Sequence, residues 1–276
     1  MVIIINSILA KIFDILFFPF QNINPWFGMI FISLITGLLM LYIFKLTSDQ
    51  EGIKKTKNKI KAHLLELRLY KDDLRTSFKA QGNILLSNLK YMKYSIKPLV
   101  IMIVPIILIL IHSNFWFGYD SLDKGEEALL KIHLSEEYEP TQVDLKIKNN
   151  DTIKIETPPV RINELDEIDW RFSALKKGVH ELKIQVGNDL ISKSISVNQK
   201  PLSKISPLKK RKSLISQILY PVEKPIKKGS PVKSIEISYP SSGLNLLGMK
   251  IHWIISFFVL SIIFGFSFKG LFGVEI

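Results

Sequence analysis

The sequence predicts a membrane protein with two parts: a three-span α-helical bundle carrying a cytoplasmic helical hairpin, and an extracytoplasmic all-β domain. Three observations predict it. Apolar residues make up 47% of the 276, and they collect in blocks at 25–46, 98–113 and 250–269, near the length needed to cross a bilayer. Residues 47–97 hold about a dozen Lys and Arg against five Asp and Glu, the asymmetry that keeps a connecting segment in the cytoplasm. Beyond residue 120 the apolar period shifts from helical to alternating, as in half-buried strands.

Residues 1–22 open the chain as an amphipathic helix. Ser7, Lys11 and Asp14 form a polar stripe, while Ile4, Ile5, Ile8, Ile12, Ile15 and Leu16 face elsewhere. That pattern suits a helix lying in the bilayer interface. A signal peptide is the alternative, but no cationic segment precedes the apolar run and no small-residue cleavage site follows it. Asn24-Pro25-Trp26 then reads as a helix start, with Asn as N-cap and Pro at the first helical position. Trp26 is expected at headgroup depth, and Lys45 closes the first span.

Within 47–97 apolar residues recur at helical spacing: Ile53, Ile60, Leu64, Leu67, Leu74 and Phe78, then Leu85, Leu89, Met92 and Ile96. The reading is a helical hairpin of coiled-coil type, with its break at Gly82-Asn83. A solvated connector whose charges only keep it soluble is the alternative. Pro98 opens the second span, Pro105 lies inside it, and Asn114–Tyr119 follow as an aromatic belt at the opposite interface.

Seven candidate strands come next: Ala128–Leu134, Val143–Ile147, Thr152–Glu156, Ile168–Ser173, Val179–Val186, Leu190–Val197 and the late Ser234–Tyr239. Gly187-Asn188-Asp189 reads as a hairpin turn. Trp170, Phe172, Leu182, Ile184 and Val186 should supply core. Short strands with regular turn signals predict an immunoglobulin-like sandwich over 120–199, completed at 234–240. Between them, 200–233 holds ten Lys and Arg and a single acid. It reads as a mobile or membrane-surface arm, or one folded back on the mildly acidic domain, with a short helix at Ser213–Leu219. The third span then returns to the cytoplasm. This places the protein in a cell membrane, by architecture a bacterial inner membrane.

The net charge of +12 is explained by lysines flanking apolar spans, and no nucleic-acid motif accompanies it. Absence of cysteine excludes disulfides, thiolate catalysis and cysteine-held metal. His63, His112, His133, His180 and His252 show no metal-ligand spacing; His112 and His252 are expected as satisfied interfacial residues. Asp72-Asp73 reads as hairpin surface and Glu164–Asp169 as a polar loop before a strand. No nucleophile motif, phosphate loop or dinucleotide turn is present, so neither an enzyme nor a cofactor is predicted.

The stretches NPWFGMIFISLITGLLMLYIFKLTSDQEGIKKTKNKIKAHLLELRL, LKYMKYSIKPLVIMIVPIILILIHSNFWFG and GMKIHWIISFFVLSIIFGFSFKG, in this order, resemble the YidC/Oxa/Alb superfamily of membrane insertases. The likeness covers roughly half the chain and is strongest to the minimal three-span branch, which includes archaeal YidC-like proteins and the insertase subunit of the ER membrane protein complex. It implies a polar groove that eases polar segments across the bilayer. It also implies a hairpin that meets nascent membrane proteins, the ribosome or a cytosolic targeting factor, and basic flanks against anionic lipid. The groove arginine of many YidC proteins has no counterpart here. Candidate groove residues are Ser33, Thr36, Tyr42, Lys45, Ser256 and Ser261; candidate hairpin contacts are Lys54, Lys55, Lys57, Lys59, Lys61 and Arg68. Helical Ser and Thr can also simply bond to their own carbonyls. Two other readings stay open: an anchored interaction protein whose β domain docks a partner, and an ion-conducting assembly.

Overall fold

The computed structural model describes residues 2–148, 151–187, 189–246 and 248–275. It divides the chain into two units. Three helices are long and apolar enough to cross a membrane: α2 (Pro25–Thr47), α4 (Leu74–Phe117) and α6 (Trp253–Phe272). The others are α1 (Val2–Phe17), α3 (Gln50–Leu69) and α5 (Leu214–Leu219).

The first unit, residues 1–29 with 110–254, is built on antiparallel strands with alternating burial. Eleven occur among the described residues: β1 (Glu127–Leu134), β2 (Leu145–Ile147), β3 (Ile153–Ile155), β4 (Val160–Ile162), β5 (Glu167–Ala174), β6 (Gly178–Val186), β7 (Asp189–Val197), β8 (Leu208–Lys210), β9 (Val232–Ile237), β10 (Leu244–Leu246) and β11 (Met249–Ile251). One sheet runs β3-β5-β1-β9-β8 with β4 also paired to β5; a second runs β2-β6-β7, and β10 pairs with β11. Registers such as Leu130↔Trp170 and Ile132↔Ile168 in the first sheet and Ile184↔Ile191 in the second bring apolar side chains onto one face of each. Those faces share a single core, so each strand's period-two pattern is satisfied by burial against the other sheet.

All seven expected strands are present with small boundary changes, while β4, β8, β10 and β11 are additional. The β6–β7 turn uses Gly187 at φ +56°, a conformation that costs glycine nothing; Asn188 lies outside the described residues. The 200–233 segment takes the folded-back form. Its β8 pairs with β9, and Ser213 caps α5 reciprocally with Ser216.

The chain of this unit is also held by aromatic rings. Phe17 packs 5.0 Å from Trp116 and 5.3 Å from Phe117 between ring centroids, and Phe117 lies 6.5 Å from Trp253. Phe115, Trp116 and Phe117 are buried. Three rings of the expected aromatic belt are therefore packed inside this unit, and α4 extends over them to Phe117. Trp26 likewise gives its indole N–H to the Asn245 carbonyl at 2.7 Å.

The second unit comprises residues 30–109 with 255–276. Asp49 caps α3 by accepting from the Gly52 N–H at 2.9 Å. The hairpin break falls at Tyr70–Asp73, and α4 runs unbroken through Gly82-Asn83, Pro98 and Pro105. The reason is capping. Asp73 accepts from the N–H of Arg75 at 3.0 Å, the N–H of Thr76 at 3.3 Å and the Thr76 hydroxyl at 2.6 Å. These bonds satisfy donors that a helix start would otherwise leave open and hold the Asp73 carboxyl below its usual range. A glycine inside a helix costs only about 1 kcal/mol against alanine, too little to end one without such a cap.

Candidate functional site

On α2, Ser33, Thr36 and Gly37 fall within a little more than one turn, on a face that buries Ser33 and Thr36. The Thr36 hydroxyl donates to the Ile32 carbonyl at 2.8 Å, the ordinary back-bond of a helical threonine. Gly37 packs closely against α6. A Cβ there would lie 2.8 Å from the Ser261 carbonyl oxygen, 3.2 Å from the Gly265 nitrogen and 3.2 Å from the Phe264 Cβ. Only a residue without a side chain lets the two backbones meet so closely.

On α6, Ser256 is buried and Ser261 half-buried, and the hydroxyl oxygens of both have no hydrogen-bond partner among the described residues. A buried hydroxyl left unpaired costs about 1–3 kcal/mol, so these two atoms are places where a polar visitor would be stabilised. The structure thus brings the backbone of Ser261 against Gly37, the residue after Thr36. It does not gather all six expected groove residues, because Tyr42 and Lys45 are exposed. Gly37 and Gly265 were missed from sequence. Their signal is present in the spacings Ser33-xxx-Gly37 and Ser261-xxx-Gly265, the small-xxx-small pattern of close helix contacts. The apolar stretch of α4 stays largely unpacked, with Leu99, Val100, Ile103, Val104 and Ile107 all exposed.

The hairpin carries its cations outward. Lys54, Lys59, Lys61 and Arg68 are exposed, and Lys55 pairs with Glu51 one turn earlier at 3.2 Å. Lys57 differs: it is half-buried and bonds Glu275 at 3.0 Å. That bond holds the Glu275 carboxyl below its usual range. The Glu275 N–H also donates to the Gln50 side chain at 2.8 Å, so Glu275 is fastened to the first turns of α3.

Two polar clusters in the β unit were not foreseen. Lys193 occupies an inward position of β7, between Ile191 and Ile195, and is fully buried. Its ammonium bonds the Ser206 carbonyl at 2.6 Å and the Glu223 carboxylate. Glu223 also accepts from the Ser194 N–H at 3.2 Å and lies 3.9 Å from Lys209, which itself donates to the Ser192 carbonyl at 2.5 Å. Burial pushes both ammonium groups down from their ordinary range, against the pull of Glu223. Burial alone would raise the Glu223 carboxyl, yet the Lys193 charge, the hydrogen bonds from Lys193 and Ser206 and the Lys209 charge together outweigh it and hold the group low. The cluster therefore pins the 200–233 segment to the second sheet.

The second cluster lies within β5, where sequence suggested a loop. Glu167 is buried beside Lys131 at 3.2 Å and His133 at 3.3 Å, and its neighbour Asp169 is pushed up to about 6 by burial and by Glu167. The other histidines are partnered locally or stacked. His252 accepts from the Ile254 N–H at 3.3 Å, and His112 stacks on Phe13 at 5.0 Å. The His112 Nε2 has no hydrogen-bond partner among the described residues, so it is not the satisfied histidine expected. Among the described residues no three His, Asp or Glu side chains are grouped to hold a metal ion.

These features define a class: a chain with three helices fit to cross a membrane and an antiparallel β domain between the second and third. No protein-family model and no curated protein matches it. Among solved structures, domains 4 and 5 of the S-layer protein SbsC are similar at 15% identity over 29% of this chain and 47% of that one, with a TM-score of 0.22. The S-layer protein rSbsC(31-844) is similar at 12% identity over 49% of this chain and 22% of that one, with a TM-score of 0.23. The chain spans less than half the length of either, and likeness at that level carries no argument about fold or function.

Proposed function

We propose that the protein is a multi-pass membrane insertase or chaperone of the YidC-like type. On this reading α2, α4 and α6 cross a cell membrane, the α3–α4 hairpin and the C-terminus face the cytoplasm, and an immunoglobulin-like domain stands outside with α1 along its membrane border. One observation carries the reading most directly: on α6, the buried hydroxyls of Ser256 and Ser261 have no hydrogen-bond partner among the described residues. A charged side chain at the bilayer centre costs about 2.5–3.5 kcal/mol on translocon scales. Such hydroxyls on an otherwise apolar helix would offset part of that cost for a polar segment in transit, with no covalent step. The exposed cations of the hairpin would attract an emerging acidic client, a ribosome or a targeting factor by long-range electrostatics.

The second reading, an anchored module whose β domain docks a partner, is favoured by the placement of Lys45. It is exposed at the end of α2, and no cation stands among the buried groove candidates.

Depletion followed by pulse-labelled insertion of short-tailed membrane proteins separates the two. The insertase reading expects insertion to fall and to be restored by the intact chain, but poorly by the Thr36→Val, Ser256→Ala, Ser261→Ala variant. Unchanged insertion after depletion refutes it. Full rescue by the variant refutes the role of the hydroxyls.

A further inference from the structure

The short helix α5 belongs to the β unit and lies 33 residues before α6 in the chain, so nothing in its connectivity ties it to a membrane. Its side chains say otherwise. Leu214 and Ile215 are 70% and 69% exposed although each would gain about 1.5–3 kcal/mol by burial. The helix packs on α1, and the Asn6 amide donates to the Gln217 carbonyl. α1 also exposes Ile8, Ile12 and Ile15, with Phe18 just after it, and carries Ser7 and Lys11 exposed among them. The other end of α5 reaches the membrane-spanning helices. Leu219 and Tyr220 line a groove of about 600 Å³ together with Leu110 and Ile111 of α4 and Ile254 of α6.

Charge completes the pattern. Residues 200–233 contain ten Lys and Arg and one carboxylate, Glu223. That carboxylate is turned inward, between Lys193 and Lys209. The outer surface of the segment is left with cations alone, among them Lys210, Lys212, Lys224 and Lys228, all exposed. Arg211 is excepted, since its guanidinium is spent on the Ser135 hydroxyl at 2.6 Å and the Ser230 carbonyl at 2.7 Å.

We infer that α5 and α1 form one amphipathic platform that rests on the bilayer surface, with Leu214 and Ile215 inserted among acyl chains and Lys210 and Lys212 against anionic headgroups. The inference rests on the reading that α2, α4 and α6 span the bilayer. Two features choose a lipid surface over a protein partner: the groove that joins α5 to the ends of α4 and α6, and the excess of cations around the apolar face, where the one carboxylate of α1, Asp14, is paired with Lys204 at 2.6 Å. The platform would fix the β domain close to the membrane instead of leaving it on flexible tethers.

The chain has no cysteine, so single-cysteine labelling is clean. The full chain is placed in nanodiscs of phosphatidylcholine, or of equal phosphatidylcholine and phosphatidylglycerol, with an environment-sensitive fluorophore at Ile215→Cys. Val259→Cys on α6 and Lys183→Cys on β6 serve as references. The expected result is quenching of the 215 probe by spin-labelled lipid and protection from aqueous iodide, more strongly in the anionic discs. Lys210→Gln and Lys212→Gln should each lower the docked-to-undocked ratio there by roughly fivefold. A 215 probe quenched by iodide while the 259 probe is quenched by lipid overturns the platform and leaves the spans standing. Protection from both quenchers means that protein covers α5, which also overturns it. Equal lipid quenching in the two compositions overturns the role of the anionic headgroups. Iodide quenching at both 215 and 259 overturns the spanning reading and the platform with it.

Discussion

Replacing Glu223 by Gln tests whether the buried ion cluster is what holds the 200–233 segment to the domain. In the native chain the carboxylate faces Lys193, which is fully buried, and Lys209 at 3.9 Å. Removing one partner of a buried pair costs about 3–5 kcal/mol, because the remaining charge has no compensation. Against a total stability of about 5–15 kcal/mol that is enough to open β8 and α5 well before the sheets unfold. The pH dependence follows from the direction of each shift. The folded carboxyl lies below its ordinary range, so its stabilisation is present above about pH 4.3 and fades as pH falls through the lowered folded value. The difference between native chain and variant should shrink there. The folded Lys193 also lies below its ordinary range. A buried lysine of this kind destabilises while charged, and relief comes as pH rises toward about 10.4; the variant should recover stability on that side. Hydrogen exchange of the intact chain in nanodiscs reads the effect at residues 208–219 and along β7. The double change Lys193→Met, Glu223→Met should restore protection, since apolar replacement of both partners is about neutral or stabilising. A loss below about 1 kcal/mol in the single variant, or an equal loss in the double, would refute the reasoning.

Two further outcomes are expected. Gly37→Val should separate α2 from α6, because a Cβ there would meet the Ser261 carbonyl oxygen at 2.8 Å; overpacking of this kind costs about 1–3 kcal/mol, read as a lower unfolding temperature of the full chain in nanodiscs. An unchanged unfolding temperature would deny the close α2–α6 contact. Asp169→Asn should raise the unfolding temperature at pH 8 and leave it unchanged at pH 4. The folded carboxyl sits at about 6, above its ordinary 3.8, so native stability declines as pH rises from 4 through 6 and the variant escapes that decline. Equal unfolding temperatures at pH 8 would show that Asp169 carries no such strain.

Much of the fold is legible because each period is local. Strands such as Leu190–Val197 alternate residue by residue, and Ser213 announces α5 by capping chemistry alone. The same periodicity misleads at Lys193. It stands where an apolar residue belongs, and only the long-range arrival of Glu223, thirty positions later, makes burial tolerable. The segment around Glu223 read as an arm because its lysines dominate the composition; the one acid that anchors it is a single letter among ten cations. The hairpin break was misplaced for a related reason. Gly82-Asn83 has the residue types of a turn, but Asp73 has the bonds of one, and three donors captured by one carboxylate outweigh a glycine's modest helix penalty. At the candidate site, polar letters within apolar runs pointed to Thr36, Ser256 and Ser261. The glycine that sets the helix separation was overlooked because its contribution is the absence of a side chain.

The groove proposed here differs in strength from one built around a cation, and the difference bears on what it would carry. A hydroxyl of Ser or Thr contributes about 0.5–1.5 kcal/mol net to a neutral partner, and about 1.5–3 kcal/mol to a charged one. The two hydroxyls on α6 that have no partner among the described residues thus come within range of offsetting one charge at the bilayer centre, for which the cost is about 2.5–3.5 kcal/mol. They fall short of offsetting several at once. On the insertase reading the suited client is a short tail with polar groups and at most one charge. Longer charged domains would need help from elsewhere. The exposed hairpin cations cannot supply it within the groove, since Lys54, Lys59 and Lys61 stand on α3, outside the α2–α6 contact, and attract a client only before it enters.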